Sequence, residues 1–295
     1  MRCMMQNRSV VAIPPSYDLN ENLELDSTFN YMKYLYTHGA TSVMTTAGTS
    51  QFNLLTTNEI HDFNACISEN FDGESILGIP AHSSIESVKF AYNAEAYINN
   101  GCHLMALYPD RFYDQETVIN YVGSICEAVG DSVYLHAPKM RSGYGGDWNY
   151  NADTINEMYD QGMVKGIKEE HSSLSDSYDF ISQLNDGIDV IVAGGSMRRF
   201  TFLESAGANS FLAGVGNLFP EIENRFFTDT NNRQKCLELE TKFFNVFMKY
   251  GWHKSLRAAL KYQALTCLHD RQPWPSVDND MADEISLILG ELGNE

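Results

Sequence analysis

The sequence predicts a (β/α)8 barrel followed by a C-terminal helical extension. Three observations carry that expectation. Short β-rich apolar runs alternate with longer amphipathic stretches eight times over. The alternation is strict, and parallel strands need a crossover of this kind between them. The chain has 295 residues, room for eight such units over about 230 residues and a helical remainder. The expected division is a barrel over residues 1–225 and a helical region over 226–295 packed on it. An open doubly wound sheet is the competing arrangement. It lacks support, because no G-x-G-x-x-G follows the first apolar run and Gly214-Val215-Gly216 alone is a weak signal.

The elements follow in order. Ser9–Ile13 reads as a strand ended by Pro14-Pro15, and Thr28–Thr37 as a helix stopped at Gly39. Thr41–Thr45 is the second strand and Thr57–Glu69 the second helix; Ser75–Ile79 precedes a helix near Ser84–Asn99. Thr57 and Ser84 are candidate N-caps, since a hydroxyl there accepts from a free backbone N–H. Cys102–Leu107 precedes a helix at Asp114–Val129, Ser132–His136 one at Asn151–Gln161, and Met163–Lys168 one at Leu174–Leu184. Ile188–Val192 precedes Met197–Ser205, and Asn209–Leu212 leads to a helix after Pro220. Helices at Gln234–Tyr250, Lys254–Leu268 and Met281–Leu292 make up the extension, with periodic apolar positions such as Leu237, Phe243, Phe244 and Phe247.

Composition removes whole classes of function. Lys and Arg total 20 against 39 Asp and Glu, a net charge of −19. Phosphate backbones and anionic membranes need basic surface, so neither nucleic acid nor membrane is an expected partner. No apolar run approaches the ~20 residues of a membrane span, and the opening apolar stretch is too short for a signal peptide. The six cysteines are scattered without a C-x-x-C pair, which suits reduced thiols in a cytoplasmic protein. The eight histidines show neither H-x-H nor H-x-x-x-H spacing, so no metal is expected.

In such barrels chemistry sits at the C-terminal ends of the strands. Along Met163–Lys168 side chains alternate faces, so Val164, Gly166 and Lys168 share one and Lys165 and Ile167 the other. The Val/Gly face suits a crowded interior and puts Lys168 at its outlet. An amine walled in by apolar groups is poorly hydrated, which favours the free base; that base can attack a carbonyl to form a Schiff base. The plainer reading is a strand-end lysine paired with Glu169 or Glu170. Thr49 and Ser50, in the AGTS turn after the second strand, suit carboxylate binding or an ordinary turn. Tyr134 and His136 share a face of the fifth strand and could relay protons beside an imine. Arg141, in the loop beyond, suits a second carboxylate or is a solvated loop residue. Gly195, within Gly194-Gly195-Ser196, allows close approach of a ligand or makes a tight turn.

These candidates, in this order, resemble the dihydrodipicolinate synthase/N-acetylneuraminate lyase family of class I aldolases. VAIPPSYDLNENLELD is similar to that family's first strand and loop, and HGATSVMTTAGTSQFNLLTTNE to its G-[TS]-T-G-E region. ILGIPAHSSIESVKFAYNAEAYINNGCHLMALYP resembles its third and fourth units. YLHAPKMRSG resembles Y-N-x-P…R-T-G, and VKGIKEEH the G-I-K-[ED] strand. The resemblance implies a barrel that assembles as a dimer or tetramer, no cofactor, and a lysine imine with pyruvate or another 2-keto acid, with an aldehyde as second substrate in some members. By motif Lys168 takes the imine role, Thr49 and Ser50 the keto-acid carboxylate, and Arg141 the second substrate's carboxylate. Counting back from Pro138, the family's proton-relay tyrosine falls on Leu135 and its asparagine on His136; Gln51-Phe52 replaces Gly-Glu. Tyr108 or Tyr113, after the fourth strand, is a loose counterpart of a family tyrosine. A lyase or synthase on a 2-keto acid is the expected function. A diverged keto-acid binder on the same barrel is the alternative, and an unrelated barrel enzyme using metal or phosphate stands third.

Overall fold

The computed structural model describes residues 7–80, 83–94, 97–98, 101–107, 114–136, 151–275 and 278–293. Eight strands pair in parallel: β1 (Arg8–Ala12), β2 (Ser42–Met44), β3 (Glu74–Ile79), β4 (His103–Ala106), β5 (Val133–His136), β6 (Val164–Glu169), β7 (Asp189–Val192) and β8 (Ser210–Leu212). Each neighbours the next in sequence, and β8 neighbours β1, so the sheet closes. The strands read as near-continuous apolar runs because both faces are covered; Val10, Val11, Ala12, Leu77, Leu104, Met105, Ile191 and Val192 are all buried. Helices follow the strands: α1 (Leu25–Thr37), α2 (Thr57–Asn70), α3 (Ser84–Tyr92), α4 (Gln115–Val129), α5 (Ala152–Asp160), α6 (Leu174–Ile181), α7 (Ser196–Leu203) and α8 (Pro220–Thr228). The chain ends in α9 (Arg233–Tyr250), α10 (Trp252–Tyr262) and α11 (Asn279–Leu292). Among the described residues, no helix is long and apolar enough to cross a membrane.

The helix starts differ from expectation by one residue where hydroxyls cap them. Thr56, not Thr57, caps α2, and its hydroxyl and Glu59 satisfy each other's backbone N–H in a capping box. Ser83, not Ser84, caps α3. Asp114, Asn151 and Ser173 cap α4, α5 and α6 by the same kind of bond. Each such cap contributes about 1 kcal/mol.

The chain forms two compact units. One comprises residues 1–10 and 74–212 and holds β3 to β8. At the N-terminal end of its strands lies a buried polar layer. The Arg8 guanidinium binds Glu74 Oε2 at 2.6 Å, Asp189 Oδ2 at 2.7 Å and Ser210 Oγ at 2.7 Å. The Tyr134 hydroxyl donates to Asp189 Oδ2 at 2.7 Å. Arg8, Glu74 and Asp189 open β1, β3 and β7, and Tyr134 stands second in β5. Side chains from such non-adjacent strands can meet only inside a closed sheet, and alternate strands supplying one layer is the usual filling of this barrel. This identifies the interior face.

The other unit comprises residues 11–73 and 213–295. Here α1 packs on α2, and α9 packs on α8, α10 and α11. Tyr31 and Tyr34 of α1 donate to the carbonyls of Asn217 and Leu218, at 2.6 and 2.5 Å. Phe243 and Phe247 of α9 stack at 3.9 Å between centroids and meet Trp252 of α10. After β1 the chain makes a small antiparallel pair, Ser16–Tyr17 against Leu23–Glu24. Arg257 and Arg271 lie over the Tyr17 ring, at 5.5 and 4.5 Å from its centroid. Arg271 also pairs with Glu59 at 2.6 Å. That pair, against the opposing effect of burial, holds the Glu59 carboxyl down at about 2.

Candidate active site

Between β5 and β6 the pairing is irregular. Val133 lies opposite Val164, yet Tyr134 lies opposite Gly166, so Lys165 is an extra residue on β6. Beyond this bulge the register is regular: Leu135 opposes Ile167 and His136 opposes Lys168. Tyr134, Gly166 and Asp189 belong to the interior face, and strand alternation carries that face on to His136 and Lys168. Gly166 is required here: a Cβ would stand 2.4 Å from Tyr134 Cε1 and 2.6 Å from the Asp189 carbonyl oxygen. The glycine lets the tyrosine ring lie across β6 and keeps bulk beneath the lysine low.

Lys168 is 3% exposed although it carries an amine. Its Nζ stands 3.0 Å from His136 Nε2 and 2.5 Å from Glu170 Oε2, and His136 Nε2 is 3.9 Å from the same carboxylate oxygen. Burial and then the Lys168 charge push the His136 imidazole down to about 3, with Glu170 opposing only in part. The ring is therefore neutral at ordinary pH. A neutral imidazole has one accepting and one donating nitrogen, and Nε2 is the one within hydrogen-bond distance of Nζ. The pairing of lysine with a following glutamate is thus real, and Glu170 is the partner. Its side chain is 43% exposed, so the group that touches the buried nitrogen also touches solvent.

Glu169 points the other way and is fully buried. Its carboxylate accepts from the His171 backbone N–H at 2.6 Å, His171 Nδ1 at 2.8 Å, the Ser177 hydroxyl at 2.8 Å and Arg199 at 3.3 Å. Burial alone would raise this carboxyl; the His171, Arg199 and Ser177 interactions outweigh it and hold it below its usual range. Arg199 also donates to the His171 carbonyl at 2.6 Å and to Ser177 at 2.5 Å. The cluster ties the end of β6 to α6 and α7 and so fixes the segment carrying Lys168 and Glu170.

The other expected residues fall in different places. Tyr134 corrects the expectation of a proton relay. It shares the interior face with His136, but its hydroxyl is committed to Asp189 in the layer at the opposite end of the strands. Burial and the Asp189 charge raise its pKa far above the ordinary phenol value, so it keeps its proton. Gly195 stands at the start of α7, where a Cβ would come within 3.0 Å of Arg199 Cβ; what approaches it closely is Arg199. In the second unit, Thr49 and Ser50 are buried in the turn after β2. Ser50 Oγ donates to the Ile13 carbonyl at 2.5 Å and accepts from Thr46 N–H at 2.9 Å, joining the ends of β1 and β2. Gln51 follows in a left-handed conformation, φ 50°, and accepts from the Tyr17 hydroxyl. Tyr108 and Arg141 lie outside the described residues. Among the described residues no group of three or more His, Cys, Asp or Glu side chains could hold a metal, and Cys66, Cys102, Cys126, Cys236 and Cys267 are free thiols.

Comparison with known proteins agrees with this architecture. The model of the dihydrodipicolinate synthetase family matches residues 5–292. No curated protein matches the sequence. Solved structures share the fold at low identity. A dihydrodipicolinate synthase from Bacillus anthracis is 16% identical, with 97% of this chain and 99% of that one covered and a TM-score of 0.80. An N-acetylneuraminate lyase from Fusobacterium nucleatum is 10% identical, with 97% and 98% covered and a TM-score of 0.81. A dihydrodipicolinate synthase variant described as monomeric is 18% identical, with 97% of each chain covered and a TM-score of 0.81.

Proposed function

The chain belongs to the dihydrodipicolinate synthetase family of class I aldolase-type lyases, and from that premise we propose that Lys168 forms an imine with pyruvate or a related 2-keto acid. One observation carries the reading: a lysine nitrogen buried on the interior face at the C-terminal end of β6, between a neutral imidazole and a carboxylate. The free amine attacks the keto carbon, water leaves, and the resulting imine withdraws electrons from the neighbouring carbon–carbon or carbon–oxygen bond. The group that makes the difficult bond change is the protein's own, so no cofactor is called for. His136 accepts from Nζ and holds the lone pair in one direction. The family resemblance assigns Thr49 and Ser50 to the keto-acid carboxylate, although the Ser50 hydroxyl already donates to the Ile13 carbonyl, and Arg141 to a carboxylate of a second substrate such as an aldehyde acid; Tyr108, a loose counterpart of a family tyrosine, is a candidate for proton transfer. The proposed assembly is a dimer or tetramer, measurable by sedimentation.

Borohydride reduction in the presence of pyruvate and a panel of longer 2-keto acids tests this reading. We expect a mass increase on Lys168 and none in Lys168→Ala. No adduct in the wild type with any acid of the panel would refute it. A second reading, keto-acid binding without turnover, has its own support. By the family resemblance the relay-tyrosine position falls on Leu135, which is fully buried on the opposite face from Lys168. Aldehyde-dependent turnover that disappears in Lys168→Ala would eliminate it.

A further inference from the structure

We propose that Glu170 is the catalytic base and acid that moves the substrate's carbon-bound proton once Lys168 carries its imine. The proposal rests on the imine reading above and adds the group that the chain has in place of a tyrosine relay. Geometry selects it. Among the described residues, the side chains of His136 and Glu170 lie within hydrogen-bond reach of Nζ. His136 is deeply buried and resists protonation. Glu169, the adjacent carboxylate, accepts four hydrogen bonds on the other face and points away. Tyr134 is committed to Asp189, and Leu135 has no proton to move. Glu170 alone of these combines contact with the reacting nitrogen and contact with water.

The step balances without an outside reactant. In the imine of pyruvate the methyl carbon is two bonds from Nζ, within the swing of a carboxylate oxygen that rests 2.5 Å from that nitrogen. The Glu170 carboxylate takes a proton from the methyl carbon. With the imine nitrogen protonated, the C–H electron pair becomes the new C=C bond, and the C=N π pair settles on Nζ as the enamine lone pair, cancelling its positive charge. Nothing is oxidised or reduced. Reversal returns a proton from the carboxylic acid, and the exposed side of Glu170 lets that proton exchange with solvent before it returns.

The experiment follows the loss of the pyruvate methyl signal in D2O by proton NMR, beside borohydride trapping with pyruvate on the same samples. Wild type should exchange and trap. Glu170→Gln should still trap at Lys168 within a few-fold of wild type while exchange slows about 100-fold or more, the usual contribution of a positioned acid–base group. Glu170→Ala should behave likewise, and added formate should restore part of its exchange, a response that a merely structural role would not give. Exchange at the wild-type rate in Glu170→Gln with trapping intact overturns the role of Glu170 and leaves the lysine reading standing. Loss of trapping together with exchange in a folded Glu170→Gln also overturns it, because the carboxylate then acts in making the imine. Absence of trapping in the wild type refutes the lysine reading itself.

Discussion

Replacing Glu169 with glutamine keeps the shape of the side chain and removes its charge. The four donors now facing the carboxylate are the His171 N–H, the His171 ring, the Ser177 hydroxyl and Arg199. An amide offers one acceptor oxygen in place of two and turns an NH2 toward a cluster in which the His171 backbone N–H and the Arg199 guanidinium can only donate. Arg199 stays as a guanidinium in a pocket where its side chain is 10% exposed. Removing one partner of a buried pair costs roughly 3–5 kcal/mol, and hydrogen bonds to charged groups contribute about 1.5–3 kcal/mol each. Arg199 keeps the His171 carbonyl and Ser177 as acceptors. The expected loss for Glu169→Gln is therefore at the lower end, about 3 kcal/mol. Urea unfolding at neutral pH measures it. The sign with pH also follows. The folded carboxyl lies below its ordinary value, so its stabilisation is complete above the unfolded pKa of about 4.3 and is lost as pH falls through the lower folded value. The gap between wild type and Glu169→Gln should close on acidification. A difference below about 0.5 kcal/mol at neutral pH, the size of an ordinary surface change, would refute the account of the cluster.

Tyr134→Phe should cost roughly 1–2 kcal/mol by removing a donor from the buried Asp189 carboxylate. It should leave borohydride trapping at Lys168 unchanged; loss of trapping in a folded variant would return Tyr134 to the chemistry. Arg271→Ala should weaken the acid limb of stability. The Glu59 carboxyl, held at about 2 by Arg271, contributes stability that is present above the unfolded value of about 4.3 and fades as pH falls toward 2. Denaturant midpoints between pH 5 and pH 3 should therefore change less steeply in Arg271→Ala than in wild type.

The elements that were legible in the sequence are those whose burial repeats. Apolar runs bounded by turns gave the barrel strands, since parallel strands covered on both faces carry little else. Alternation from Gly166 to Lys168 put the lysine on the interior face, where it stands, but the extra Lys165 breaks the expected alternation below Gly166, so Val164 pairs with Val133 on the other face. The pair Ser16–Tyr17 and Leu23–Glu24 is invisible to periodicity because two-residue strands have no period. The helix expected to run to Leu268 ends at Tyr262; Ala264 and Cys267 beyond it have φ of 53° and 60°, a conformation set by tertiary contacts rather than propensity. The site was legible only in part. Lys168 and His136 lie within strands, so alternation predicts their face. Glu170 lies just past the end of β6, where alternation stops, and its direction depends on the Glu169 cluster that fixes the chain. Tyr134 shares a face with His136 in sequence and in space, but alternation says nothing about depth, and depth decided its partner.

The unmatched Lys165 has a consequence for anyone counting along β6. It turns the strand over, so that Val164 before it and Gly166 after it look out from opposite sides of the wall. Writing the missing phenol back at position 135 would bury a hydroxyl beside Ile167 in a lining built for hydrocarbon. An engineer wishing to add a relay should instead begin at position 136, whose side chain already faces the amine.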